Sequence, residues 1–289
     1  MIPKPSLDLS VIGNGVISAL LDRFGNIVWG CWPRIDGDPF FCALLDGEMP
    51  ESGFFSIAFD EEAEAEQFYV RNTAIVRTIL RSKSGASLQI TDLAPRFRQY
   101  HRLFRPPMII RRIEPLEGFC RIRVRCRPRM NYGAVLASAV PGSNHVRYVS
   151  DYGAIRLTSD APVTHIANET GFVLSRPTVM ILHADEVLAD SISRVGHEFL
   201  HYTEEHWRDW VRTLNVPFEW QEQVIRAAIT LQLCAYDDTG AIVAALTTSV
   251  PESRGTQRNW DYRYCWIRDA FHTVHALNRV GATTTMERF

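Results

Sequence analysis

Residues 258–270 contain the densest group of side chains that could recognise a ligand, with four aromatic and five charged residues among thirteen. Aromatic rings can stack on the C–H face of a pyranose, and Arg and Asp side chains exchange charge-assisted hydrogen bonds with neighbouring sugar hydroxyls. One interpretation is therefore a concave sugar site. The other is structural, with Asp269 complementing the N-terminus of a following helix and the aromatic rings packing between domains. The residue types alone leave both interpretations open.

A second candidate is the segment 197–201, which reads H-E-F-L-H and matches the H-E-x-x-H pattern of zinc peptidases. On a helix, His197 and His201 would lie one turn apart and could share a zinc ion, with Glu198 as the general base. Both histidines fall on the polar side of the helix predicted there, and the longer metzincin pattern does not continue. We therefore interpret them as surface residues, expect no metal, and keep a zinc peptidase only as a remote alternative.

The arginine-rich stretch 102–129 could form a phosphate-binding surface. Within it, residues 121–127 alternate between arginine and apolar residues, which predicts a strand whose charged face pairs with acidic residues of neighbouring strands. The formal net charge is -2, and there is no helix-turn-helix or RNA-binding signature, so we expect no nucleic-acid partner. His272 and His275 lack nearby residues at metal-ligand spacing and are expected to be packed or hydrogen-bonded.

The composition is that of a globular protein, with 46% hydrophobic and 22% charged residues in a chain of 289. A chain of this size can bury a large core without a disulfide or a metal. The six cysteines lack C-x-x-C spacing and are expected to be buried thiols of a reducing compartment. Because the N-terminus lacks an apolar signal core and no apolar stretch is long enough for a membrane span, we expect a cytoplasmic protein without membrane contact. The oligomeric state is left open.

The first part of the chain, up to about residue 178, is predicted to form strands that build a β-sandwich. Short apolar runs separated by Gly, Pro and Asp indicate these strands. They include residues 27–32, 54–59, 74–80, 87–92 and 121–127. Ser84-Gly85 predicts a hairpin turn between two of them.

The chain after about residue 189 is predicted to form helices, which implies a second domain of a different class. A long amphipathic helix is indicated by apolar residues at helical spacing, namely Val195, Phe199, Tyr202, His206 and Trp210. A buried helix over 224–234 is expected to end at Thr239-Gly240. A further helix that ends at Gly281 is indicated by a stripe of Ile267, Ala270, Phe271, Val274 and Leu277.

The string A-L-T-T-S-V-P-E at residues 245–252, followed by R-N-W-D-Y-R-Y-C-W-I-R-D-A at 258–270, resembles the signature of bacterial glycoside hydrolase family 15. That family includes glucoamylases and glucoamylase-like trehalases. Shorter strings in the first 46 residues resemble its β-sandwich domain. The resemblance therefore covers nearly the whole chain.

The resemblance implies an α+β multidomain protein with an N-terminal antiparallel β-sandwich at 1–188. A linker helix at 189–215, to which Trp207 and Trp210 correspond, would lead to the first helices of an (α/α)6 catalytic barrel at 216–289. The implied activity is inverting hydrolysis that releases β-glucose from α-glucosides such as maltodextrin or trehalose. One Glu would be the general acid and another the general base, about 6.5–9.5 Å apart. No cofactor is implied.

In this family an Arg-Asp pair and two aromatic residues hold the terminal glucose, and the matching residues here are Tyr262, Trp266, Arg268 and Asp269. Since the chain has room for only a few barrel helices, the resemblance implies a truncated barrel. Both catalytic glutamates are then expected beyond residue 289, and the chain alone is expected to be inactive. The expected partner is an α-glucoside. An alternative from a different class is a non-catalytic sugar-binding or scaffold module.

Overall fold

The computed structural model describes residues 6–46, 50–253 and 255–289. Residues 1–5, part of the N-terminus that we expect to lack a signal core, lie outside the described residues. The strands are, in chain order, β1 Ser10–Gly13, β2 Ser18–Leu21, β3 Ile27–Trp32, β4 Asp38–Cys42, β5 Phe54–Phe59, β6 Ala63–Tyr69, β7 Val76–Ser82, β8 Ser87–Leu93, β9 Phe97–Gln99, β10 Arg102–Phe104, β11 Met108–Glu117, β12 Arg121–Arg127, β13 Arg129–Met130, β14 Val135–Leu136, β15 Ser138–Pro141, β16 His145–Ser150, β17 Gly153–Ser159, β18 Phe172–Val173 and β19 Thr178–Ala184. The helices are α1 Val163–Ala167, α2 Ile192–Arg212, α3 Gln221–Cys234, α4 Ile267–Arg279 and α5 Thr283–Arg288.

Two antiparallel sheets form a β-sandwich. The first has seven strands in the order β1-β2-β3-β5-β12-β18, with β4 paired to β3. The second has eight strands in the order β15-β16-β17-β19-β11-β8-β7-β6. The hairpins β9–β10 and β13–β14 pair only within themselves among the described strands. The predicted α+β class, with an N-terminal antiparallel sandwich before the helices, is confirmed, whereas the (α/α)6 barrel stays a prediction.

The alternation along β12 sets the two faces of the first sheet. Ile122 is fully buried and lies in one core cluster with Leu88 of the second sheet. On the opposite face, Asp60 accepts hydrogen bonds from Arg121 at 3.0 Å and from Arg123 at 2.9 Å. The predicted pairing of these arginines with acidic residues is therefore confirmed, although Asp60 follows β5 rather than lying in it.

A buried ion pair connects the two sheets. Arg111 of β11 and Asp92 of β8 are fully buried, and Arg111 Nε donates to Asp92 Oδ1 at 2.7 Å. The same guanidinium donates to the carbonyl oxygen of Phe55 in β5 at 2.9 Å and to that of Gly25. Arg111 therefore links the two sheets through the carbonyl oxygen of Phe55, while Asp92 compensates its buried charge.

The strands follow the sequence pattern closely. β3, β5 and β12 occupy the predicted residues, while β7 runs over Val76–Ser82 instead of 74–80. The predicted turn at Ser84-Gly85 joins β7 to β8, and Gly85 has a φ of 87° that favours glycine. All six cysteines are free; four are buried, and Cys234 and Cys265 are half-buried.

Helix α2 lies against the second sheet, and its buried face differs from the predicted stripe. Val195 is buried as expected, but further along the helix Thr203, Trp207 and Val211 are buried, whereas Tyr202 is 41% exposed. The prediction is therefore wrong by one position over the second half of the helix. Both stripes satisfy helical spacing, so packing on the sandwich decided which one is covered. No helix among the described residues is both long and apolar enough to cross a membrane.

Helices α3 and α4 are each buried on one face only. In α3, Ala228 and Ile229 are buried while Ala227 is exposed, so the prediction that residues 224–234 are buried nearly all round is wrong. The helix also ends at Cys234, not at Thr239-Gly240, because Ala235 is extended and bridges to Ile242. Helix α4 ends before Gly281 as predicted.

The face that α4 buries differs from its predicted stripe. Ala270 and Leu277 are buried, whereas Ile267 and Phe271, which the stripe also includes, are 85% and 62% exposed. The stripe is therefore only partly covered.

The sandwich, α2 and α3 meet in one apolar cluster. Its buried members come from the first sheet, from both helices and from the chain after α3, and include Val11, Leu20, Trp29, Trp207, Val211, Ile229, Leu233, Val243 and Leu246. Through this cluster, α3 and the C-terminal half of α2 pack on the first sheet, while the N-terminal half of α2 packs on the second. The cluster therefore determines where the segment between α3 and α4 is held.

A buried polar junction lies beside that cluster. Arg96, which follows β8, donates from Nη1 to the carbonyl oxygen of Asn14 at 2.6 Å and to Asp237 Oδ2. Its Nε donates to His206 Nε2 of α2 at 3.1 Å. One guanidinium thus binds the sandwich, α2 and the residues that follow α3.

Candidate functional site

The candidate sugar-binding residues lie in residues 235–266, which join α3 to α4, and in the first turn of α4. Backbone hydrogen bonds fold this segment onto itself, since Ala244 N donates to Tyr262 O at 3.1 Å and Tyr262 N donates to Thr248 O at 3.2 Å. The described part of this segment is therefore a loop folded back on itself, and it presents Tyr262 and Trp266 just before α4 begins.

Asp261 is the centre of this loop. Arg263 donates to its carboxylate from Nε at 2.9 Å and from Nη2 at 2.6 Å, and Ser249 Oγ donates to it at 3.1 Å. The hydrogen bonds from Arg263 lower the pKa of Asp261 to about 2, so the group is a carboxylate at neutral pH. The carbonyl oxygen of Asp261 accepts the indole N–H of Trp266 at 3.1 Å. Asp261 therefore orients a candidate sugar-binding ring and is already saturated with donors.

Three of the four aromatic rings in residues 258–270 are exposed to solvent, and Tyr262 is half-buried. The ring centroids of Tyr262 and Trp266 are 6.3 Å apart with an angle of 42° between the planes, and Trp266 is 38% exposed. Trp260 and Tyr264 are 46% and 66% exposed. Within the described residues, Trp260, Tyr264 and Trp266 are therefore not enclosed between the sandwich and the helices.

Glu252 belongs to the same group, although no role was predicted for it from the sequence. The Tyr262 hydroxyl donates to Glu252 Oε1 at 2.5 Å, and Arg258 Nη2 donates to Glu252 Oε2 at 3.0 Å. These bonds lower the pKa of Glu252 and raise that of Tyr262. The only sequence signal was that Glu252 ends the string at residues 245–252.

Arg268 and Asp269 lie side by side in the first turn of α4. Arg268 Nη2 is 3.2 Å from Asp269 Oδ2, and the Arg268 side chain is 76% exposed. Asp269 also lies in the first turn of α4, where the helix dipole stabilises a carboxylate. The part of the structural interpretation that concerns Asp269 therefore agrees with the structure. The four candidate residues thus form two pairs at the start of α4, the ion pair Arg268–Asp269 and the ring pair Tyr262–Trp266.

The zinc interpretation finds no support in the geometry. His197 and His201 are exposed, and Glu198 accepts a hydrogen bond from Arg194 at 2.8 Å. Across the described ranges, no group of three or more metal-ligating side chains comes together.

The histidine pair of α4 is exposed. His272 and His275 both lie at the surface, and the ring of His275 stacks on that of Phe271 with 6.0 Å between centroids. The expected packing is therefore limited to contacts with one neighbouring ring.

The sandwich reaches the loop through Tyr132, which the sequence did not indicate. Tyr132 lies in the turn between β13 and β14, and the guanidinium carbon of Arg263 lies 5.7 Å from its ring centroid. A short Asn-x-Gly turn could have indicated the hairpin, but nothing local indicates what its tip contacts.

The two parts of the chain match two known families. Residues 4–209 match the family described as trehalase-like, N-terminal, and residues 220–289 match glycosyl hydrolases family 15. A trehalase of Thermoplasma volcanium is 27% identical over 277 residues, which cover 93% of this chain and 44% of the relative. A trehalase of Mycobacterium tuberculosis is 25% identical over 320 residues, covering 99% and 45%. Trehalase 1 of Sulfolobus acidocaldarius is 28% identical over 295 residues, covering 97% and 47%. The chain thus spans about half the length of these curated relatives.

Proposed function

We propose that this chain, which belongs to the trehalase-like members of glycosyl hydrolase family 15, supplies the residues that hold one glucose unit of trehalose during its hydrolysis. The observation that carries the proposal is the arrangement at the start of α4. There, Arg268 and Asp269 form an ion pair that follows Trp266 closely in the chain, and the rings of Tyr262 and Trp266 lie 6.3 Å apart. After the hydrogen bond to Glu252, the charge of Asp269 is one of the causes that raise the pKa of Tyr262.

Each of these side chains has a physical role towards a pyranose. The exposed indole of Trp266 offers an apolar face to the C–H groups of the sugar, and its own N–H is already used by Asp261. Arg268 can donate to hydroxyl oxygens and Asp269 can accept from hydroxyl groups, and charged partners make such hydrogen bonds stronger. Because the two charges are opposite and adjacent, the pair recognises a neutral polyol without attracting an ion of either sign.

Trehalose is the proposed substrate because the relatives that match both parts of the chain are named trehalases. Trehalose consists of two glucose units, so a site that holds a single glucose fits either half of it. Maltodextrin also ends in a glucose, and a comparison of the two substrates is therefore part of the test.

The proposed reaction is hydrolysis with inversion, in which one carboxylic acid protonates the glycosidic oxygen and a second carboxylate activates water. A general acid needs a raised pKa, whereas hydrogen bonds from Tyr262 and Arg258 lower the pKa of Glu252. Glu252 therefore fits the role of a hydrogen-bond acceptor that orients Tyr262. We assign neither the general acid nor the general base to a residue of this chain.

The test is a calorimetric or NMR titration of the chain with glucose, trehalose and maltose, repeated with Arg268→Ala. Losing a charged hydrogen-bond donor should weaken glucose binding about 10- to 100-fold. Arg212→Ala is the matched control, because Arg212 is also 76% exposed and paired with a neighbouring aspartate but lies on α2. Equal affinity in Arg268→Ala and in the unchanged chain would overturn the proposal. Tighter binding of maltose than of trehalose would overturn the proposal that trehalose is the substrate.

A further inference from the structure

The turn between β13 and β14 holds an aromatic residue in an unfavourable backbone conformation. Asn131, Tyr132 and Gly133 have φ values of 53°, 54° and 83°. This left-handed region suits glycine and is tolerated by asparagine, but it is unfavourable for a residue with a bulky side chain such as tyrosine. The turn is held by Asp38 of β4, whose Oδ1 accepts the backbone N–H of Tyr132 at 2.7 Å. Strain of this kind persists where the surroundings fix it and often serves a function.

The Tyr132 side chain does not serve the sandwich core. It is 64% exposed, whereas the apolar residues that build the core are almost completely buried. Its ring instead faces the guanidinium of Arg263 with 5.7 Å between the guanidinium carbon and the ring centroid. A cation at this distance over an aromatic face is attracted by the ring. The strained turn therefore places a ring from the sandwich on the loop that precedes α4.

Arg263 transmits that contact to a candidate sugar-binding residue. Its Nε and Nη2 donate to the Asp261 carboxylate at 2.9 and 2.6 Å. The carbonyl oxygen of Asp261 in turn accepts the indole N–H of Trp266 at 3.1 Å. A continuous set of three contacts thus runs from Tyr132 through Arg263 and Asp261 to Trp266.

We propose that Tyr132 is a positioning residue of the sugar site, so that the β-sandwich takes part in substrate binding by holding Arg263 and thereby Trp266. The proposal rests on the proposed function, because it takes Trp266 to contact the sugar. Tyr132 acts through Arg263 and not on the reacting atoms. The β-sandwich then does more than support the helices.

The decisive variant is Tyr132→Gly, because glycine accepts the left-handed conformation and should keep the turn folded while the ring is removed. Tyr100→Gly is the matched control, since Tyr100 also has a positive φ, of 49°, and is 88% exposed in another hairpin turn. Tyr132→Phe keeps the ring and should keep the contact with Arg263. The first readout is the Trp266 indole N–H resonance in an ¹⁵N correlation spectrum, assigned with Trp266→Phe.

We expect the Trp266 resonance to shift in Tyr132→Gly and to stay in place in Tyr132→Phe and Tyr100→Gly. Glucose affinity should fall about two- to five-fold in Tyr132→Gly only, in keeping with the loss of one cation–π contact. We also expect the thermal midpoint of Tyr132→Gly not to fall, because glycine adopts the backbone conformation of this turn without strain. A lower midpoint with an unmoved Trp266 resonance would show that Tyr132 has a purely structural role, and it would overturn the proposal.

The two proposals fail in different ways. If Arg268→Ala abolishes glucose binding while Tyr132→Gly changes neither the affinity nor the resonance, the positioning role is wrong and the sugar site stands. If the Trp266 resonance shifts in Tyr132→Gly but the unchanged chain binds neither glucose nor trehalose, the contact is real and the proposed function is wrong.

Discussion

Lowering the pH from 7 to 5 should destabilise the junction between the sandwich and α2 through His206. Arg96 Nε donates to His206 Nε2 at 3.1 Å, so that nitrogen must keep its lone pair in the folded protein. Burial, followed by the positive charge of Arg96, lowers the pKa of His206 to about 3. A proton on the ring would remove the acceptor and place two cations in contact. The folded protein therefore keeps this histidine neutral.

The magnitude follows from the difference between the folded and unfolded pKa values. In the unfolded chain a histidine has a pKa of about 6.5, so between about pH 6.5 and about pH 3 the unfolded state binds the extra proton. The free energy of unfolding then falls as the pH falls, by about 1.4 kcal/mol for each pH unit within that range. Between pH 7 and pH 5 the loss due to His206 is about 2 kcal/mol.

The assay is urea unfolding at pH 7 and pH 5 of the unchanged chain and of His206→Gln. A glutamine oxygen can still accept from Arg96 but does not titrate, so the loss between the two pH values should be about 2 kcal/mol smaller in this variant. His183, whose pKa burial lowers to about 4, titrates in both proteins and cancels in the comparison. His197→Gln, at an exposed histidine of α2, is the control and should behave as the unchanged chain. An equal loss in His206→Gln and the unchanged chain would refute this reasoning.

Two further predictions concern the stability of the sandwich and of its junction. Arg111→Met should lower the free energy of unfolding by about 3–5 kcal/mol, because Asp92 is left as a fully buried, unpaired carboxylate. Adding Asp92→Val should recover part of that loss, and a double variant less stable than Arg111→Met would contradict this explanation. Trp207→Ala should cost about 3–5 kcal/mol because Trp207 is 1% exposed, whereas Phe218→Ala, at a side chain 94% exposed, should change the free energy of unfolding little. Urea unfolding at neutral pH measures all of these, and similar costs for Trp207→Ala and Phe218→Ala would argue against the described burial.

The candidate site could be predicted as far as its residues are neighbours in the chain. Tyr262, Trp266, Arg268 and Asp269 fall within eight positions, so a resemblance in that string was enough to name them together. Their solvent exposure was not predictable, because the same composition also suits packing between domains. The contact between Glu252 and Tyr262 depends on how the loop folds back, which no spacing rule describes.

The sequence by itself determined the properties that depend on local backbone geometry. The period of two along β12 placed arginines on one face and apolar residues on the other, and the strand occupies the predicted residues, because neighbouring side chains of a strand must point to opposite sides. Helical spacing likewise located α2 and α4, and the positive φ of Gly281 accompanies the end of α4.

Only the tertiary structure decided which of two equivalent stripes of α2 is buried and which distant groups meet. Arg96 contacts His206 from 110 residues away, and Tyr132 of the sandwich faces Arg263 of the loop before α4. Such contacts depend on how the sheets and helices pack, and packing is a property of the whole surface of each element. A residue at a hairpin tip carries no local signal of the element opposite it, so the contact between Tyr132 and Arg263 became visible only in three dimensions.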